Sequence, residues 1–145
     1  MDSANFQRVE DDLYCGGQPT EAELSALLEC GVRSLINLRP PGEFDGYDDA
    51  LAAARLGMQY TQIPISGSVD LTRENIARFC QALADARTRG GVLVYCRSGN
   101  RVGAAFALAE AWSHQCCPEV ALARGRRTGM TTLEAAVSAM LRDAR

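Results

Sequence analysis

Gly91-Val92-Leu93-Val94-Tyr95-Cys96-Arg97-Ser98-Gly99-Asn100-Arg101 is a short apolar run that stops at a cysteine, crosses a tight polar loop with one glycine, and enters an alanine-rich stretch. Behind the Gly90-Gly91 turn the run reads as a buried strand, and the alanine-rich stretch reads as a helix. One thiol therefore stands at the carboxyl end of a strand, where a helix begins. Backbone N–H groups at a helix start have no intrahelical partners and concentrate partial positive charge. A thiol held among them ionises more readily than a free one. The same amides, with an arginine, form an anion cradle. A nucleophile and a seat for an oxyanion thus share a single loop.

Outward from this loop the chain alternates between strand and helix signals. Residues 6–9 and 13–16 read as a strand pair. Thr20 and Glu23 form a capping box before Leu24, Leu27 and Leu28, and Gly31 closes that helix. Residues 32–38 form a strand candidate, followed by a loop at 39–46 rich in proline and glycine. A short helix over 48–56 leads to a further strand over 58–65. Thr72 caps a helix carrying Ile76, Phe79, Cys80 and Leu83 at a 3.6-residue period. Helices fill the rest of the chain. The pattern predicts a single three-layer α/β domain over residues 1–145, with a central, mostly parallel sheet of four or five strands and helices on both faces. Ligands bind beyond the carboxyl ends of strands in such sheets, so loops 39–46, 66–70 and 96–101 are expected to converge.

The totals narrow the function classes. The 145 residues are 47% hydrophobic and 23% charged, a globular composition, and the net charge of −3 argues against nucleic acid as a partner. Arg124, Arg126 and Arg127 read as a solvated helix end. No apolar run is long enough for a membrane span, and the opening residues lack a signal-peptide pattern, so a cytoplasmic setting is expected. There the six cysteines are thiols. None is spaced as a zinc pair, and no metal or other cofactor is expected. Cys30 and Cys80 read as small core residues. Only Cys96 has a reactive setting. His114, the one histidine, is too remote in sequence to suggest a dyad, and Trp112 reads as a packed aromatic.

The segments Leu13-Tyr14-Cys15-Gly16-Gly17-Gln18-Pro19-Thr20 and Gly31-Val32-Arg33-Ser34-Leu35-Ile36-Asn37-Leu38-Arg39 resemble the front half of dual-specificity-type cysteine phosphatases. Tyr60-Thr61-Gln62-Ile63-Pro64-Ile65 is similar to the strand before their acid loop. The likeness is strongest to a small bacterial family of phosphatase-like domains, sometimes joined to metallo-β-lactamase-like hydrolases, and it covers residues 6–106. The resemblance implies a phosphocysteine mechanism on a phosphorylated protein or a small aryl phosphate. In it Cys96 is the nucleophile and Arg101 grips two phosphoryl oxygens. Arg97, Ser98, Gly99 and Asn100 line the anion seat, with Arg39 as a further substrate contact or a structural ion pair. Four departures stand out. Four residues rather than five separate Cys96 from Arg101. Tyr95 replaces the usual histidine, and Val102 the usual hydroxyl residue. Ser66 stands where relatives carry the leaving-group acid, so Asp70 is the candidate acid, with Glu43, Asp45 and Asp48 as alternates.

Two other readings stay open. Val94 to Arg101 also resembles the loop of rhodaneses, in which the cysteine accepts sulfane sulfur as a persulfide. An inactive module that holds a phosphorylated partner is the third.

Overall fold

The computed structural model describes residues 4–143. Five strands make one sheet: β1 (Phe6–Glu10), β2 (Leu13–Gly16), β3 (Val32–Asn37), β4 (Gln59–Gln62) and β5 (Gly91–Tyr95). Their spatial order is β1-β2-β5-β3-β4. β1 runs antiparallel to β2, and every other pairing is parallel. The helices are α1 (Glu21–Glu29), α2 (Asp49–Arg55), α3 (Arg73–Arg87), α4 (Asn100–Ser113), α5 (Pro118–Thr128) and α6 (Glu134–Asp143).

Side-chain alternation along the central strands divides the core into two layers. Val92 and Val94 join the larger cluster with Phe79, Leu108 and Val137 of the α3, α4 and α6 helices. Leu93 and Tyr95 point the other way, toward Leu24 and Leu27 of α1 and Ala52 and Ala53 of α2. Cys96 continues the first series and belongs to the larger cluster. The expected α/β domain is therefore present, with α1 and α2 on one face and the remaining helices on the other.

Local signals set the helix starts. Thr20 and Glu23 exchange the two bonds of a capping box, Thr72 accepts from the Asn75 amide, and Asp48 accepts from the Leu51 amide. α4 is buried along Val102–Ala109, so it needs small residues wherever neighbours approach. Gly103 shows why: a Cβ there would sit 2.0 Å from the Met130 nitrogen and 2.5 Å from the Gly125 oxygen. The first turn of α4 thus lies backbone against backbone on the end of α5, which fixes the helix that carries the polar loop.

Three expectations need correction. The strand read over residues 58–65 is shorter, because Pro64 has no amide to give a ladder. Ile63 and Ile65 still donate to Asn37 and Leu38 at 2.9 and 3.0 Å, which draws the chain alongside β3. Cys30 is exposed at the end of α1, and Cys80 is only half-buried. Arg124 is no solvated helix end: it bonds Glu10 at 2.6 Å and lies 5.0 Å over the Phe106 ring, while Arg126 does face solvent. Among the described residues no helix is long and apolar enough to cross a membrane.

Candidate active site

β5 delivers Cys96 to the loop, and β2 beside it holds that loop from below. The Cys96 amide donates to the Gly16 oxygen at 3.1 Å, Gly17 bridges Ser98, and the Gln18 amide donates to the Arg97 oxygen at 3.4 Å. Gly17 permits this approach, since a Cβ on it would lie 2.4 Å from the Arg97 oxygen. Gly99 takes φ +97°, a left-handed conformation that favours glycine, and its N–H points at the Cys96 sulfur from 3.1 Å. The sulfur sits at the buried floor of the loop with a backbone amide aimed at it.

Arg101, in the first turn of α4, gathers the three loops. Its Nη2 donates to Glu43 Oε1 at 2.5 Å and its Nη1 to Glu43 Oε2 at 2.9 Å, which engages loop 39–46. Nη1 also donates to the Ile65 oxygen at 2.8 Å, at the entry to loop 66–70. Glu43 therefore fills the end-on fork of the guanidinium. Hydrogen bonding to Glu43, chiefly, pushes the Arg101 pKa up, and the adjacent Cys96 sulfur adds to the push.

The Arg101 hydrogen bonds, opposed by partial burial and helped by Arg39, hold Glu43 below its ordinary 4.5. A carboxyl whose folded pKa is depressed contributes stability above its unfolded pKa and loses it as pH falls through the folded value. Glu43→Gln is accordingly expected to lower Tm at pH 7 by a few degrees. The gap between variant and parent should narrow as the pH falls below 4.5 and through the depressed folded pKa. Thermal melts of both proteins across that range test it, and a pH-independent gap contradicts it.

The other expected site residues fall into two groups. Arg97 and Ser98 are exposed on the loop, and Gly99 lies within it. Asn100 contributes its side chain elsewhere: its oxygen accepts from the Thr131 and Leu133 amides at 2.8 and 3.2 Å, and its nitrogen donates to Thr132 at 2.7 Å. It pins the approach to α6, so a substrate contact from its side chain is replaced by a structural one. Arg39 is likewise turned inward. It is 5% exposed, donates to Gln18 Oε1 at 2.6 Å and to Glu43 at 3.0 Å through both Nε and Nη2, and stacks on Phe44. Its role here is the structural ion pair. Asp70 accepts from the Ser66 amide at 2.8 Å and the Ser66 hydroxyl at 2.5 Å, and these bonds hold its carboxyl below the ordinary 3.8. In this arrangement its carboxylate braces the loop through Ser66.

Two residues were missing from the sequence-based site. Gln18 donates to Asp49 at 2.9 Å and to Tyr47 at 3.0 Å while accepting from Arg39. Asp49 in turn accepts a short hydrogen bond from Tyr95. Tyr95 is fully buried, and that burial, with Asp49, pushes its pKa far up. The Gly-Gln-Pro-Thr motif drew attention to this segment. The role of Gln18 could not be read there, because its partners lie 21 and 31 residues away.

A mostly parallel sheet ending on a cysteine loop, with an arginine from the following helix at its mouth, defines a phosphatase-like α/β domain of the cysteine-phosphatase kind. Solved structures share the fold. A protein from Neisseria meningitidis z2491 superposes with a TM-score of 0.75 at 22% identity, covering 95% of this chain and 96% of that one. P. aeruginosa TpbA, in a cysteine-to-serine form complexed with pTyr, gives 0.66 at 18% identity, over 97% and 89%. The chain belongs to the family of phosphatase-like domains of β-lactamase hydrolase-like proteins, whose model matches residues 5–113. The β-lactamase hydrolase-like protein of Xylella fastidiosa Temecula1 is 40% identical over 106 residues, and that of Agrobacterium fabrum C58 is 36% identical over 108. These matches take in 70% and 72% of this chain but 24% of either relative's length.

Proposed function

We propose that the domain hydrolyses phosphomonoesters, aryl or tyrosine phosphates first, through a phosphocysteine at Cys96. The observation that carries this reading is the Gly99 N–H directed at the Cys96 sulfur, with Arg101 alongside. The thiolate attacks phosphorus, a P–S bond forms, and the ester P–O bond breaks with its electron pair leaving on oxygen. Water then attacks the phosphocysteine and releases phosphate and the thiolate. Loop amides and the Arg101 guanidinium meet the charge that develops on the phosphoryl oxygens. The pTyr complex of TpbA supports an aryl phosphate as the substrate class.

The leaving group decides how far the activity reaches. Asp70, the proposed acid, is ionised while Ser66 holds it, so a departing oxygen must carry its own charge or wait for that loop to release a proton donor. A phenolate tolerates this and an alkoxide does not. Rates on aryl phosphates are expected to exceed those on alkyl phosphates by about 10²-fold or more, the usual worth of general acid catalysis. Equal rates on both would return the acid role to Asp70 in a rearranged loop.

A specific feature favours a second reading. The loop closes on the sulfur itself, and its arginine fork already holds Glu43, which suits a single added sulfur atom. In that chemistry the thiolate attacks the sulfane sulfur of thiosulfate and an S–S bond forms. The S–SO3 bond then breaks, and sulfite leaves with the electron pair. Cyanide next takes the outer sulfur as thiocyanate and restores the thiolate. The test offers an aryl phosphate and, separately, thiosulfate with cyanide. Phosphate release without thiocyanate supports the first reading, and the reverse supports the second. Phosphopeptide binding with neither turnover supports a binding module and overturns both.

A further inference from the structure

A continuous set of hydrogen bonds joins the residue before the nucleophile to the arginine at the mouth of the site. Tyr95 donates to Asp49 Oδ2, and Gln18 donates to the same oxygen at 2.9 Å. Gln18 accepts from Arg39 at 2.6 Å, Arg39 donates to Glu43 at 3.0 Å, and Glu43 accepts both Nη groups of Arg101. The relay crosses from β5 through the first turn of α2, the Gly-Gln-Pro-Thr turn and loop 39–46. It then comes back to α4 at Arg101. Its inner members are buried: Tyr95 is 0% exposed, Arg39 5% and Asp49 9%. Each link alternates donor and acceptor, so moving one member misaligns the next.

Asp49 is the member on which the two ends depend. Its Oδ2 takes Tyr95, which shares a backbone with Cys96, and also Gln18, which aims Arg39 and through it Glu43. Helix packing does not explain this placement, because the α2 cap is Asp48, through the Leu51 amide. A buried carboxylate with a tyrosine and a glutamine on one oxygen is costly unless that oxygen is needed as an acceptor.

We propose that Asp49, acting through Tyr95 and Gln18, is a positioning residue that sets the distance and angle between the Cys96 thiol and the Arg101 guanidinium. This rests on the reading of Cys96 and Arg101 as the reactive pair. Asp49 needs to accept hydrogen bonds more than to carry charge, so asparagine should replace it and alanine should not.

The test compares alkylation of Cys96 by iodoacetate and by iodoacetamide, each rate divided by that of a free thiol. The anionic reagent reports whether Arg101 stands beside the sulfur, and the neutral one reports the reactivity of the same thiol. Their ratio is independent of protein concentration, and each variant is compared at a temperature where its circular dichroism shows it fully folded. The parent protein should prefer iodoacetate, and Arg101→Ala should abolish the preference. Asp49→Ala should cut it about tenfold, as expected for misplacement by an ångström or so, while Asp49→Asn stays within about twofold of the parent. Gln18→Met breaks the same link from the half-buried side and should match Asp49→Ala, which keeps the test open if the alanine variant does not fold. A preference unchanged in Asp49→Ala or Gln18→Met overturns the relay while leaving the reactive pair intact. A parent protein with no Arg101-dependent preference and no Cys96-dependent turnover overturns the pair, and the relay with it.

Discussion

Cys96→Ser is expected to remove turnover by a factor on the order of 10⁴ or more, on whichever substrate the parent protein accepts. The sulfur takes the Gly99 amide at 3.1 Å on the floor of the loop, where no other described nucleophile stands in its place. Ser98 is in the same loop but faces solvent. A serine hydroxyl at position 96 fits the space and keeps the amide contact, yet it stays protonated at neutral pH and attacks neither phosphorus nor sulfane sulfur at a useful rate. The fold should be intact and anion binding should persist, because Arg101 and the loop amides remain. Steady-state rates of both proteins, with phosphate affinity measured by calorimetry, test this. Residual turnover above about a hundredth of the parent's would place the nucleophile elsewhere.

Arg101→Lys carries the second-largest effect, a loss of about 10²- to 10³-fold in kcat. The guanidinium ties Glu43 and the Ile65 oxygen through its Nη groups and also lies close to the Cys96 sulfur. An ammonium has no planar fork and cannot serve all of these neighbours at once. A lysine that reaches Glu43 leaves the anion seat, and one that reaches the seat leaves Glu43 with Arg39 alone. KM should rise less than kcat falls, because the lost contacts strengthen as charge develops on the reacting group. Steady-state kinetics on an aryl phosphate, or on thiosulfate if that is the substrate, decide the matter. A lysine variant within threefold of the parent, well inside the loss of about two decades expected for a charge-stabilising donor, would show that Arg101 only braces loops.

Much of the architecture was legible from short-range signals. The capping box at Thr20 and Glu23, the alternation along Val92 to Tyr95 and the glycines at 31 and 99 act within a few residues, so a single sequence displays them. The convergence of three loops followed from strand direction alone, and it is realised at Arg101, where Glu43 and the Ile65 oxygen meet. The end of β4 was misread because Pro64 interrupts a ladder that the apolar pattern continues.

Side-chain roles were less legible. Arg39, Asn100 and Asp70 are polar residues on site loops, and each looked fit to meet a substrate. The structure gives Arg39 to Gln18 and Glu43, Asn100 to residues 131–133 and Asp70 to Ser66. Gln18 lay in a segment the resemblance had marked, but its partners, and the part played by Asp49, could not be read from neighbours in the chain.

The sequence by itself determined the layered fold and the position of one thiol at a helix start, since periodicity, caps and strand direction depend on neighbours in the chain. Only the tertiary structure decided which charged side chains face the seat and which are used up as braces. That choice depends on which donors and acceptors buried loops bring together from distant positions, each needing a partner once water is gone.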